Sequence, residues 1–184
     1  MISVNRATGG GQVTEPPVWL LDVDGVINVE RPGWGGAPRN GRAVAEGIEW
    51  PMRWAPALRA RIRRLHRDRI VEVRWCSTWC AWPGELERVF RLRFARAFGV
   101  VPDASAAKLA AARAVLAGGR RLVWTDDAEV PEQGAVFEEL TAHGRGLLIR
   151  PDEECGLLPV HLDEIAAFAR SGPDAPATRR PQES

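Results

Sequence analysis

Short apolar segments that recur along the chain constrain its fold more than any other feature. These segments are residues 18–21, 70–75, 122–124 and 147–149. A strand that is buried on both faces of a sheet has a nearly continuous apolar run instead of an alternating pattern. The four segments therefore predict strands of a mainly parallel sheet.

Helical patterns separate the predicted strands. Pro56 is a favourable first residue of a helix, and Leu58, Ile62 and Leu65 follow at the spacing of one helix face. Further helices are predicted over residues 85–98, 105–117 and 160–170. Strands that alternate with helices predict a doubly wound, Rossmann-like α/β fold with a mainly parallel sheet and helices on both faces.

The chain of 184 residues, 45% of them hydrophobic, suits one globular domain, which we expect over residues 18–170. Residues 1–17 and 171–184 are rich in glycine, proline or polar residues and are predicted to be flexible tails. Residues 28–54 are rich in glycine and proline and match no periodic pattern. We predict an irregular lid-like insertion there, because long loops in compact domains are often functional.

Charge and cysteine content narrow the function classes. The formal net charge of +1 does not indicate a nucleic-acid-binding protein, although a local contact stays possible. Cys76, Cys80 and Cys155 match no zinc or redox spacing. No apolar run approaches the length of a membrane span. We therefore expect a cytoplasmic protein without disulfide bonds and without membrane attachment.

Polar residues follow three of the predicted strands. They are Asp22 and Asp24 after the first strand, Ser77 and Thr78 after the second, and Asp126 and Asp127 after the third. Because ligands of doubly wound sheets bind beyond the carboxyl ends of the strands, we expect these side chains to converge on one site. Ordinary turn formation is the alternative explanation for the aspartates.

Lys108 is the single lysine among 25 basic residues. It lies near the start of a predicted helix, where the helix dipole disfavours a cation unless an anion is close. A compact ammonium also supports chemistry for which a planar guanidinium is a poor substitute. Lys108 is therefore a candidate functional residue with an anion close by, and a plain surface lysine is the alternative.

Taken in order, these motifs resemble those of the haloacid dehalogenase superfamily of aspartate-nucleophile phosphotransferases. The first motif is matched by a strand followed by Asp22, Val23, Asp24 and Gly25, and the second by a strand ending near Ser77. Lys108 matches the third motif, and the acidic pair at 126 and 127 matches the fourth. Residues 75–79, with the sequence Trp-Cys-Ser-Thr-Trp, are similar to the second motif of small members that lack a large cap.

The resemblance implies a phosphatase that requires Mg²⁺. Asp22 would attack phosphorus, and Asp24 would protonate the leaving oxygen and then activate water. Phosphate would be held by Lys108 and by Ser77 or Thr78, with Ser77 favoured because it ends the strand. The implied metal ligands are Asp22, the main-chain carbonyl of Asp24, and Asp127, with Asp126 bonded to the lysine or to a metal-bound water.

The segment between the second and third motifs is too short for a large cap, so substrate selection is assigned to the insertion. Candidate residues there are Arg31, Trp34, Arg39 and Arg42. Arginines bind phosphates and an indole stacks on a base, so a nucleotide or another phosphorylated metabolite is the expected substrate. A nucleic-acid end phosphatase and a non-catalytic module that binds a phosphorylated ligand or protein remain alternatives.

Overall fold

A computed structural model describes residues 15–172 of the chain. The strands are β1 (Val18–Leu21), β2 (Arg39–Ala45), β3 (Ile48–Trp54), β4 (Glu72–Trp75), β5 (Ala95–Arg96), β6 (Leu122–Thr125) and β7 (Gly146–Ile149). The helices are α1 (Pro56–Arg67), α2 (Pro83–Phe90), α3 (Ala104–Ala117), α4 (Ala135–Thr141) and α5 (Pro159–Arg170). Apart from residues 15–17 and 171–172, the predicted tails lie outside the described residues.

Five strands form one parallel sheet in the order β5-β4-β1-β6-β7. On one face, Trp19 and Leu21 of β1 belong to the same buried cluster as residues of α1 and α5. On the other face, Val18 and Leu20 share a cluster with residues of α3 and α4. The predicted doubly wound, Rossmann-like α/β class is confirmed. No helix within residues 15–172 combines the length and apolar character needed to cross a membrane.

The chain reverses its direction of travel across the sheet at β1. From β1 it proceeds to β4 and β5 on one side, and α3 then carries it back to β6 on the other side. In an open α/β sheet, such a reversal leaves a crevice beyond the carboxyl ends of the two strands that flank it. The fold therefore places a binding crevice at the ends of β1 and β6.

The expectation of an irregular insertion over residues 28–54 is wrong for its second half, because β2 and β3 form an antiparallel hairpin. Glu46 and Gly47 make the turn, both with positive φ, 53° and 77°, as a two-residue type I′ turn requires. Ala43 and Met52 are fully buried on the inner face. Val44 and Pro51 beside them are apolar although they are exposed, so the alternation of buried and exposed residues does not appear as an apolar–polar pattern in the sequence.

The prediction of a helix over residues 85–98 is also wrong in its extent. Helix α2 ends at Phe90, because Arg91 adopts a left-handed conformation with φ 53°. The apolar pattern continues past this point because Phe94 packs against Trp75, with ring centroids 5.1 Å apart. The chain then forms the short edge strand β5. Helix α4 was not predicted from the sequence.

Candidate active site

Asp22 and Asp126 lie side by side because their strands are adjacent and in register. Leu21, the last residue of β1, is paired with Thr125, the last residue of β6. An aspartate follows each strand directly, and both aspartates are buried. Lys108 Nζ donates to Asp22 Oδ2 at 2.6 Å and to Asp126 Oδ2 at 2.7 Å. Three of the predicted site residues are therefore in direct contact.

Helix α3 brings Lys108 to this position. The Asp103 carboxylate accepts a hydrogen bond from the Ala106 amide at 2.9 Å and caps the helix, which fixes where α3 begins. Burial lowers the pKa of the Lys108 ammonium, but the two carboxylates outweigh burial, and the pKa lies above its ordinary value. Lys108 therefore stays charged, and the alternative of a plain surface lysine is excluded by its 6% exposure.

One ammonium does not balance the negative charge around it. Burial first, and then the neighbouring Asp126 carboxylate, raise the pKa of Asp22 to about 7, although Lys108 and the Ser77 hydroxyl oppose this rise. Burial and the charge of Asp126 likewise raise the pKa of Asp127. An added cation would stabilise the charged form of both carboxyl groups.

Asp22, Asp126 and Asp127 can place one carboxylate oxygen each within 4.8 Å of one another. Asp127 lies against Gly25, where a Cβ would stand only 2.3 Å from Asp127 Cγ, and the φ of Gly25 is +68°. Only glycine leaves room for the acid at this turn. Oxygen-only ligand sets suit hard divalent cations such as Mg²⁺ and Ca²⁺, so this triad could hold one.

The Asp24 side chain is exposed, and Asp24 lines the same cleft as Asp22 and Asp127. Asn28 Nδ2 donates to Asp24 Oδ1 at 2.6 Å, and Trp79 Nε1 donates to Asp24 Oδ2 at 2.8 Å. Neither partner was singled out by sequence reasoning as a site residue. Trp79 is distant in sequence, but Asn28 is four residues after Asp24, a spacing that favours side-chain contact in a tight turn.

The two candidates at the end of β4 have different surroundings. Ser77 is 1% exposed, and its hydroxyl acts to lower the pKa of the nearby Asp22 carboxyl group. The same hydroxyl accepts from the Trp79 amide at 3.4 Å. Thr78 is exposed and lines the cleft. The choice of Ser77 as the phosphate-binding residue stays a prediction.

The site opens into a cleft of about 540 Å³. Its lining carries six carboxylates and one ammonium, those of Asp22, Asp24, Glu30, Asp127, Glu153, Glu154 and Lys108. The acids at the rim, Glu30, Glu153 and Glu154, are exposed. Arg31 forms an ion pair with Glu154 and so lies beside the rim. The interior and the rim therefore both favour cations over anions.

None of the four candidate substrate residues of the insertion lines the cleft, although Arg31 lies beside its rim. Trp34 is half-buried, packs against the main core cluster and donates through its indole N–H to the Leu157 carbonyl at 2.6 Å. Arg42 pairs across the hairpin with Glu49. Arg39 is exposed at the start of β2. In this structure Trp34 packs and hydrogen-bonds within the fold, and its base-stacking role stays a prediction.

Comparison of the chain with protein-family models, with curated proteins and with solved structures finds no match. The geometry of the site and the resemblance of the motifs are thus the basis for a functional proposal.

Proposed function

We propose that this protein is a Mg²⁺-dependent phosphatase of the haloacid dehalogenase type that hydrolyses a small phosphate monoester through an aspartyl-phosphate on Asp22. The observation that carries the proposal is the Lys108 ammonium held between the Asp22 and Asp126 carboxylates at the cleft. Three motifs that are far apart in sequence supply these groups, and they meet at one edge of the sheet.

The charges of the site support phosphoryl transfer. A phosphate monoester is a dianion that repels a carboxylate nucleophile, so positive charge must surround the reacting phosphorus. Mg²⁺ held by Asp22, Asp127 and the Asp24 main-chain carbonyl would supply that charge and draw a phosphoryl oxygen towards the nucleophile. Lys108 adds a second positive charge that is fixed by its two hydrogen bonds.

The reaction has two displacements at phosphorus. In the first, a carboxylate oxygen of Asp22 bonds to phosphorus as the ester oxygen leaves, and Asp24 gives that oxygen its proton. In the second, Asp24 takes a proton from water, the water oxygen bonds to phosphorus, and the bond to Asp22 breaks to release phosphate. Lys108 and Ser77 would hydrogen-bond the phosphoryl oxygens through both steps.

The rim of the cleft supports a small substrate with a single phosphate. Glu30 and Glu153 would repel the successive phosphates of a nucleic-acid strand. This argues for a phosphorylated metabolite, including a mononucleotide, over a nucleic-acid end. The fixed orientation of Asp24 supports turnover over simple ligand binding, because a binding module has no need of an oriented acid.

Phosphate release from p-nitrophenyl phosphate tests the proposal. We expect wild-type protein to turn over with Mg²⁺ and to lose activity with a chelator. Asp22→Asn should keep the fold and lose activity by at least about a thousandfold, because an amide is not a competent nucleophile. Asp68→Asn, which changes an exposed surface acid outside the cleft, is the matched control. Near wild-type turnover by folded Asp22→Asn protein would refute the mechanism.

A further inference from the structure

Two side chains hold Asp24 in one orientation, Asn28 at the end of the same turn and Trp79 after β4. Each of its carboxylate oxygens accepts one N–H, from Asn28 at 2.6 Å and from Trp79 at 2.8 Å. Asp24 is nevertheless exposed in the cleft, where water could satisfy both oxygens. An exposed carboxylate does not need protein donors to replace lost water. The two donors on Asp24 therefore act by restricting the rotation of its side chain.

Asn28 is itself fixed by the hairpin. Its Oδ1 accepts the Arg53 main-chain N–H at 2.7 Å. A side-chain amide has one acceptor oxygen and one donor NH₂, so this bond turns the NH₂ towards Asp24. Arg53 belongs to β3, and the base of the hairpin thus sets the orientation of the acid through Asn28.

Trp79 is fixed by burial. It is 5% exposed and lies in the short 3₁₀ helix Thr78–Ala81, which Ser77 caps. Its ring makes an edge contact with Trp82, with centroids 6.2 Å apart. The indole N–H can donate a hydrogen bond and cannot accept one, so a phenylalanine at this position would keep much of the packing and lose the bond to Asp24.

We propose that Trp79 and Asn28 are positioning residues that aim Asp24 at the leaving-group oxygen of the substrate, an inference that rests on the proposed phosphatase function. Each donor occupies one lone pair of the carboxyl group, and the proton to be transferred sits on a lone pair that faces the cleft. Proton transfer in general acid catalysis depends steeply on such alignment.

This role predicts a dependence on the leaving group. An alkyl alcohol leaves poorly unless its oxygen is protonated, whereas p-nitrophenolate leaves without help. A misaligned Asp24 should therefore slow the first displacement of an alkyl phosphate and spare that of p-nitrophenyl phosphate. The value of kcat/KM reports the steps up to the aspartyl-phosphate, so it isolates this displacement from the later attack of water.

The experiment compares kcat/KM on the two esters for Trp79→Phe, with Mg²⁺ present. We expect a fall of about tenfold or more for the alkyl phosphate and less than about twofold for p-nitrophenyl phosphate. Asn28→Ala should give the same pattern and provides a second variant if one of the two folds poorly. Trp50→Phe changes an exposed indole of β3 that makes no bond to Asp24, so it should alter neither value.

The outcomes separate this inference from the proposed function. Equal losses on both esters, or no loss on either, would overturn the positioning role while wild-type turnover still supported a phosphatase. Absence of wild-type turnover on both esters would overturn the proposed function, and the positioning role with it.

Discussion

At the scale of single residues, Lys108 is a buried cation whose charge must be compensated by its neighbours. Its ammonium lies between two buried carboxylates, and both its hydrogen bonds are shorter than the usual N–H···O distance. Removing one partner from a buried ion pair leaves a charge without compensation, which costs more than the net value of the pair. The contribution of Lys108 is therefore best measured together with that of a partner.

Lys108→Met should lower the free energy of unfolding by about 3 kcal/mol at neutral pH, because Asp22 and Asp126 then face each other without a cation. Adding Asp126→Asn to the same chain should recover part of that loss, since one of the two unpaired charges is gone. Urea unfolding of the single and double variants measures both effects. Additive losses would show that Lys108 and Asp126 do not interact energetically.

Asp22 predicts a pH dependence of stability in chelator-treated protein. Its pKa is raised from 3.8 to about 7 by burial and by Asp126. The folded state therefore holds this proton more tightly than the unfolded state, and the stability that it contributes is present at low pH and lost as pH rises through about 7. As the pH rises from 3.8 to about 7, the free energy of unfolding of the wild-type protein should fall relative to that of Asp22→Asn. Parallel stability curves for the two proteins would contradict the raised pKa.

At the scale of elements, the turn after β1 shapes the acid site. Gly25 and Gly47 both have positive φ, +68° and +77°, but a Cβ at Gly25 would strike Asp127 whereas a Cβ at Gly47 would meet open space. The two glycines therefore allow backbone strain to be separated from a steric effect on the site.

Gly25→Ala should raise the Mg²⁺ concentration needed for half-maximal activity, because the new methyl group displaces the Asp127 carboxylate. Gly47→Ala carries similar backbone strain of about 1 kcal/mol and should leave the Mg²⁺ requirement unchanged. Metal titration of both variants checks this difference. If both substitutions shifted the Mg²⁺ requirement equally, Gly25 would matter only for its backbone conformation.

Some elements were predictable from the sequence because one local rule determines them. Strands β1 and β6 are buried on both faces, and α3 ends at Ala117 directly before Gly118, so apolar runs and a glycine stop located them. The hairpin was missed because the exposed apolar residues Val44 and Pro51 interrupt its apolar–polar alternation. The end of α2 was missed because Phe94 stays in the core after the helix has stopped.

The candidate site was predicted in composition but not in geometry. The strand-end rule grouped the acids, since it depends only on parallel strands sharing an edge. Which oxygen meets which donor depends on tertiary contacts, and no local pattern specified the bond from Trp79 to Asp24. The arginines of the insertion were assigned to the cleft from their charge alone, and hairpin pairing directs Arg42 to Glu49 instead.

At the scale of the whole molecule, the uneven distribution of charge matters more than the formal net charge of +1. The cleft collects carboxylates from the β1 turn, from the segment after it and from the turn that precedes α5. Low-dielectric walls focus the field of such a cleft, so under the proposed function its rim acids would influence which phosphate esters enter.

The double substitution Glu30→Gln and Glu153→Gln should lower KM for a doubly phosphorylated ester several-fold more than for a singly phosphorylated one. Removal of two negative charges from the rim reduces the repulsion of the second phosphate. Glu46→Gln, at the exposed hairpin turn, is the control for a change of net charge elsewhere. An unchanged ratio of the two KM values would show that the rim does not select substrates by charge.

The account depends most directly on covalent chemistry at Asp22. Borohydride reduces an aspartyl-phosphate to homoserine, so mass spectrometry of protein quenched with borohydride during turnover identifies the phosphorylated residue. Asp24→Asn protein with p-nitrophenyl phosphate and Mg²⁺ is the suitable sample. This ester forms the intermediate without help from an acid, whereas hydrolysis of the intermediate should be slow without Asp24. The account predicts homoserine at position 22 when both the ester and Mg²⁺ are present, and no homoserine when either is left out. Phosphate release with residue 22 unmodified, or homoserine at another position, would contradict it.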